Sequence, residues 1–342
     1  MLRSGRCAGG TPLTAGGGYS WGVKMRLARG SAAATAVLVF AACGGSPTAP
    51  GGGEPGGPVS FRVVSGETGA AVPGVAVTVA GDTLTTDGDG GFSVARDVPP
   101  QSNVTLNAGG FLLRETTLGR AAGNRFALWP SESASGIDEL LTREVVYTAF
   151  GAGAPLAGAA LQRWPPAQAP VDVVLDSIFE GFPDLVDAQA QAVSRVNALL
   201  GGRPEYRAPV LGSGGVAPGR VYVRVDPNEP GCGRDVLALA HRYFDANDEI
   251  SHAEVVYCRS SAALRPAIAL HELGHTFGLQ HSSDLGDLMH IAVRAEDLMP
   301  RERAIVSLMY QRPAGNRFPD DDRGALGSLG RAGGRATIRC AR

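Results

Sequence analysis

Apolar residues change their spacing along this chain, and each spacing predicts a different architecture. Between 59 and 128 they alternate: Val75, Val77 and Val79 are separated by small or polar residues, and Phe92 and Val94 repeat the pattern after "DGDGG". Side chains on a strand point to opposite faces in turn, so a period of two marks strands buried on one side. Short alternating runs divided by Gly/Asp turns predict antiparallel strands in a small β-sandwich. "DGDGG" suits either a hairpin turn or the start of a calcium loop. The glutamate such a loop needs at its twelfth position is Val98 here, which favours the turn.

From 143 the pattern is mixed. "PVDVVLDSIF", "GRVYVRV", "VLALAHRY" and "EISHAEVVYC" read as strands. "DLVDAQAQAVSRVNALLGG" reads as an amphipathic helix ended by glycine, and "AALRPAIALHELGHTFG" as a helix with an apolar face to bury. "MPRERAIVSLMY" reads as a last helix, with Pro300 in its first turn and Ala304, Ile305, Leu308 and Met309 along one side. That order predicts an α+β domain over 143–312, joined to the sandwich (59–128) by a linker at 129–142. The stretch 313–342, with "DDD", glycines and arginines, is expected to fray.

The N-terminus reads best from Met25. "MRLARGSAAATAVLVFAAC" has a basic start, an apolar run of about a dozen residues and small residues before Cys43. Such a run is shorter than the ~20 residues a membrane helix needs, so it predicts an export signal over 1–43. "FAAC" resembles a bacterial lipobox, although Phe40 stands where leucine is usual; either Cys43 is lipidated and anchors the protein to a membrane, or the protein is simply secreted. Residues 44–58, "GGSPTAPGGGEPGGP", have too few apolar groups for a core and read as a tether.

Charge narrows the function. There are 31 basic and 33 acidic residues and no long basic run, which argues against a nucleic-acid partner. Lys24 is the only lysine and precedes the expected mature chain, so Schiff-base chemistry and a P-loop lysine are excluded.

The candidate chemistry lies in "HELGHTFGLQHSSDLGDLM", residues 271–289. His271 and His275 are four apart, hence on one face of a helix, where two imidazoles can reach one ion. Gly278 can end the helix and turn the chain, bringing His281 round as a third ligand. Three nitrogens leave a fourth tetrahedral position for water, the catalytic form of a zinc site. Glu272, beside the metal but off the ligand row, is placed to take a proton from that water. The bland alternative is an exposed helix face carrying His-Glu-x-x-His by chance; the glycine and third histidine at their offsets weigh against it.

"HELGHTFGLQH" has the form H-E-x-x-H-x-x-G-x-x-H and resembles the metzincin zinc endopeptidases. Ser282 after the third histidine, and Met289 eight residues beyond it, resemble the matrixin branch. The resemblance implies that Met289 forms the turn beneath the zinc site, while the bland reading is a core methionine. Ile291 stands where astacins and serralysins carry a tyrosine, and "MHIAV" lacks the Met-x-Pro frequent in matrixins, which leaves the specificity pocket's wall open. The resemblance further implies an extended peptide substrate lying antiparallel to an edge strand, here Val236 to Tyr243. "DANDE", 245–249, lies where matrixins often hold structural calcium; a solvated turn explains it equally. The pattern "VPGVAVTV…TTDGDGGFSV…NAGGF" resembles the regulatory-like sandwich of carboxypeptidases, which implies spacing or adhesion.

An exported protein can keep disulfides. Cys232 and Cys258 are favoured as a bridge; the alternative is that "PGCGRD" resembles the matrixin thiol switch, in which a thiolate occupies the zinc from a segment preceding the catalytic domain. Cys340 is left over. His241, His252 and His290 are expected to pack or face solvent. The functional expectation is a zinc endopeptidase; the rival is a non-enzymatic surface lipoprotein whose sandwich binds a glycan or protein, with a vestigial zinc domain.

Overall fold

The computed structural model describes residues 57–147, 159–166, 170–323 and 333–341. The export signal, Cys43 and most of the tether lie outside the described residues. The chain from Pro55 onward forms one compact unit.

Its first part holds two small sheets. β1 (Val59–Ser65) lies between β4 (Gly91–Val94) and β7 (Arg125–Leu128), antiparallel to the former and parallel to the latter. β2 (Ala76–Val79), β3 (Asp82–Thr85), β5 (Asn103–Asn107) and β6 (Arg114–Thr117) form an antiparallel sheet in the order β3-β2-β5-β6. The alternating residues close one core, with Val63, Val77, Phe92, Leu106 and Phe126 buried together. The turn at "DGDGG" is not a hairpin, because β3 and β4 belong to different sheets; it carries the chain from one to the other. Asp87 Oδ1 accepts from the amides of Asp89 and Gly91 at 2.9 and 2.7 Å, an arrangement of a tight turn.

The second part is mixed α+β around a six-stranded sheet, in the order β13-β11-β12-β10-β8-β9. These strands are β8 (Asp172–Leu175), β9 (Val210–Leu211), β10 (Arg220–Val225), β11 (Val236–Phe244), β12 (Ile250–Tyr257) and β13 (Gly334–Ala341). β8, β10 and β12 run parallel and are covered, so Val173, Val221, Val223 and Val255 are all buried. α1 (Glu139–Thr142) opens this part, capped by Asp138, whose carboxylate accepts from Leu141 N at 2.6 Å. α2 (Pro183–Leu200) ends at Gly201, which takes the left-handed conformation at φ 60°. It buries Leu185, Ala188, Ala192 and Val196 along one face.

The long helix expected over "AALRPAIALHELGHTFG" is broken at its proline. α3 (Ser260–Ala263) is a single turn, Arg265 is extended as residues before proline prefer, and α4 (Pro266–Thr276) carries the histidines. α5 (Pro300–Met309) packs against α2. Cys232 and Cys258 are bonded, tying the approach of β11 to the end of β12.

The tail is where expectation and structure part. Residues 313–323 do not fray: Asp320 forms a fully buried pair with Arg312, at 2.6 Å, and Asp322 meets Arg114 of β6. β13 pairs with β11 from Gly334 to Ala341, so β11 is an interior strand and not the edge strand that the resemblance implied. The physical reason is an alternation hidden behind the glycines: Ala336, Ile338 and Cys340 point inward and are buried.

The two parts meet through specific contacts. Arg312 donates to the Ala127 carbonyl and lies over the Trp129 ring, and Glu115 N donates to Asp320 O. Trp129, Ile137 and Leu141 of the expected linker are buried in the larger core. Among the described residues, no helix is long and apolar enough to cross a membrane.

Candidate metal centre

His271 and His275 project from one face of α4, as their spacing requires. His281 follows the turn at Gly278, and the three rings stand 4.6 to 5.4 Å apart between centroids. The glycine is needed for two reasons. Its φ is 127°, which L side chains rarely adopt, and a Cβ would stand 2.3 Å from the Gln162 carbonyl. Arg242, fully buried on β11, fixes this turn by donating to the carbonyls of His275 and Leu279 at 2.9 and 3.2 Å.

Backbone carbonyls set the orientation of two rings. His271 Nδ1 donates to Leu288 O at 2.7 Å, and His275 Nδ1 to Leu279 O at 2.9 Å. Each then has its proton on Nδ1 and a lone pair on Nε2. The two Nε2 atoms face each other at 3.0 Å, so neither has a proton to offer the other. Two lone pairs that close repel, and a cation between them removes the conflict. A tetrahedral zinc with nitrogens at about 2.0–2.1 Å would set them at about 3.3 Å, close to what is seen.

A fourth group completes the cluster. Cys340 Sγ lies 3.1 Å from His271 Nε2, 3.5 Å from His275 Nε2 and 3.6 Å from His281 Nε2. All four candidate ligand atoms fall within 4.8 Å of one another. The thiol near the histidines is therefore not Cys232, which is in the disulfide, but the leftover cysteine of the expected frayed tail.

Burial sets the protonation. It holds His271 down to about 4 and His281 down to about 3, with His275 well below the usual imidazole range. The neutral rings so favoured are the form that binds metal. Glu272 is fully buried, and neither carboxyl oxygen has a hydrogen bond of good geometry among the described residues. Burial pushes it up to about 8, while the nearby Cys340 thiol opposes the shift. Cys340 is itself raised by burial and then by Glu272. A bound cation reverses that preference, because a coordinating thiol is deprotonated.

Met289 lies beneath the helix, fully buried. Gly274, between the two helical histidines, allows this: a Cβ there would stand 2.8 Å from the Met289 sulfur. The methionine's turn is anchored by a residue the sequence reading did not single out. Glu302, buried at the start of α5, accepts from the amides of Leu288 (3.1 Å), Met289 (2.8 Å) and Met299 (2.7 Å). The anchor had a sequence signal in the glutamate three residues after the helix N-cap. Asp287, also buried, accepts from Ser282 and pairs with Arg301 at 2.8 Å.

The other histidines lie outside the cluster. His241 bonds Thr337 Oγ1 at 3.0 Å, His252 stacks on Tyr243, and His290 contacts the backbone of Ala292. At 245–249 the Asp245 carboxylate accepts from the amides of Asn247 and Glu249, so this loop is a turn closed on itself, and calcium gains no support.

Residues 238–302 match the family model of the M10 peptidases, Matrixin. Over that stretch the chain is similar to the matrixin metallopeptidases. That match spans the histidines, Glu272, Met289 and Glu302, and stops before β13. A solved structure, metalloproteinase-II from Bacteroides fragilis, is 13% identical, covering 66% of this chain and 82% of that one with a TM-score of 0.26. A likeness that loose places no residue. No curated protein matches the chain.

Proposed function

We propose that the protein is an exported zinc endopeptidase of matrixin type, with His271, His275 and His281 as ligands and Glu272 as general acid–base. The observation that carries the reading is a fully buried carboxyl, with the Cys340 thiol as its neighbour, beside converging imidazole lone pairs. A purely structural metal site has no use for it.

A zinc ion held there supplies Lewis acidity toward a carbonyl oxygen and acidifies water to a pKa of roughly 7. Glu272 takes a proton from the attacking water and delivers it to the departing amine nitrogen. Met289 and Gly274 hold the ligand helix from below, and the two carbonyls fix which ring nitrogens face the metal. An extended substrate would pair through its backbone with β11 only once β13 has left that edge.

The small sheets at 59–128 suit the sandwich role of spacing or adhesion, and the "FAAC" sequence supports export with lipid anchoring at Cys43. Cys340 favours a second reading: three histidines and a cysteine make a closed four-ligand set, the form of structural zinc. The discriminating experiment digests a proteome-derived peptide library with zinc-loaded Cys340→Ser protein and with the same protein carrying Glu272→Gln. Internal cleavages that vanish with Glu272→Gln support the peptidase; no cleavage by either, at full zinc occupancy, supports the closed structural site.

A further inference from the structure

We infer that the C-terminal strand β13 keeps the enzyme latent, occupying the place of a substrate while Cys340 supplies a fourth metal ligand. The inference rests on the peptidase reading and names how that site is restrained.

Three independent features carry it. First, β13 runs antiparallel to β11 over its whole length, with Cys340 opposite Ala238, Ile338 opposite Ala240 and Ala336 opposite Arg242. This is the strand and the direction on which an extended peptide would pair. Second, the strand is held on its other side too. Ala341 N donates to Ile291 O at 3.0 Å, and Ala341 bridges Ala292, two residues of the segment that follows Met289. Its end is therefore enclosed between β11 and the loop leaving the methionine turn. Beyond Cys340, Ala341 reaches a cavity of about 410 Å³ whose walls include Leu237, Ile268 and Val293. A peptide in β13's place would put the side chain next after the metal into that cavity. Third, the thiol lies in the ligand cluster itself, 3.1 to 3.6 Å from the three imidazole nitrogens.

The strand is built to enter closely. Cβ atoms at Gly333 and Gly334 would stand 2.6 Å from the Phe244 carbonyl and 2.8 Å from its ring. Thr337 Oγ1 then meets His241, and Arg335 lies over the Tyr243 ring at 5.5 Å. Sγ lies where an attacking water would have to enter, which would spare β13 itself from cleavage. With a divalent ion held by the histidines, Cys340 would ligate as the thiolate, its S–H proton passing to solvent; on release the thiolate would regain a proton from solvent, with no change of oxidation state. Removal of the strand or capture of the thiol opens the site. Latency of this design comes from a strand that follows the metal-binding histidines in sequence.

The test uses the full chain. Loaded with cobalt(II) alone, wild-type protein should show near-ultraviolet thiolate-to-metal charge-transfer absorption, absent from Cys340→Ser and Cys340→Ala. At equal zinc content, Cys340→Ser should hydrolyse library peptides at least tenfold faster than wild type. Absence of the charge-transfer band from wild-type protein overturns Cys340 ligation, and that readout does not depend on a variant folding. Equal hydrolysis by wild type and folded Cys340→Ser overturns latency. The band with no hydrolysis by any form overturns the peptidase reading instead, leaving a closed zinc site.

Discussion

Removing Glu302 tests whether the methionine turn holds the metal ligands. Its carboxyl accepts from three backbone amides, and two of the donors, at Leu288 and Met289, are buried in residues without solvent access. Glu302→Ala leaves both unsatisfied, at about 1–3 kcal/mol each. Part of that is returned, because burial holds the Glu302 carboxyl up at about 7 even with its donors, so the native state already bears a desolvation cost. A net loss of about 2–4 kcal/mol follows, which is a large share of a domain's stability. The metal site should feel the same change. Leu288 carries the carbonyl that orients His271, so a displaced turn loosens a ligand, and loss of such an orienting contact typically costs about 10–100-fold in metal affinity. Urea unfolding of the chelated protein reads the first effect, and zinc competition against a chromophoric chelator reads the second. Unchanged stability and unchanged zinc affinity in Glu302→Ala would refute the anchoring role.

Glu272→Gln should retain zinc and lose most turnover in the Cys340→Ser background; an empty site on metal analysis would show that the carboxyl helps hold the ion. His281→Ala should lose zinc affinity, and tight retention by dialysed protein would point to an unrecognised ligand. In chelated protein the three buried imidazoles resist protonation, whereas unfolded ones titrate near 6.5. The unfolded chain then binds more protons as pH falls from about 6.5 toward 4, so stability should decline through that window; a flat melting temperature between about pH 7 and about pH 5 would contradict it. Deleting residues 1–128 should lower the melting temperature of the remainder, because Arg312 loses the Ala127 carbonyl. An unchanged melting temperature would mean that this contact carries no stability.

The ligand helix was legible because its information is local. His271, His275, Gly278 and His281 sit within a few turns of chain, and spacing alone brings them together. Their supports were less legible because each acts across a long separation. Arg242 acts on the turn from a strand thirty-odd residues earlier, and Glu302 on Leu288 from the next helix. Cys340 was hidden most deeply. It meets His271 across a separation of 69 residues, and the alternation of Ala336, Ile338 and Cys340 follows a stretch whose glycines and charges read as fraying. For the same reason β11 reads as a free edge in the sequence, since an edge strand is recognised only by what does not pair with it. The turn at "DGDGG" went astray for a related reason: local chemistry specifies a tight turn but not whether the two strands share a sheet.

The most direct measurement is a zinc titration of chelated Cys340→Ser protein, following hydrolysis of an internally quenched peptide. The account predicts that activity rises in proportion to added zinc and saturates at one ion per chain, while Glu272→Gln in the same background stays flat. Hydrolysis that persists in chelator, or a folded, zinc-saturated Cys340→Ser protein that cuts no peptide, would contradict it.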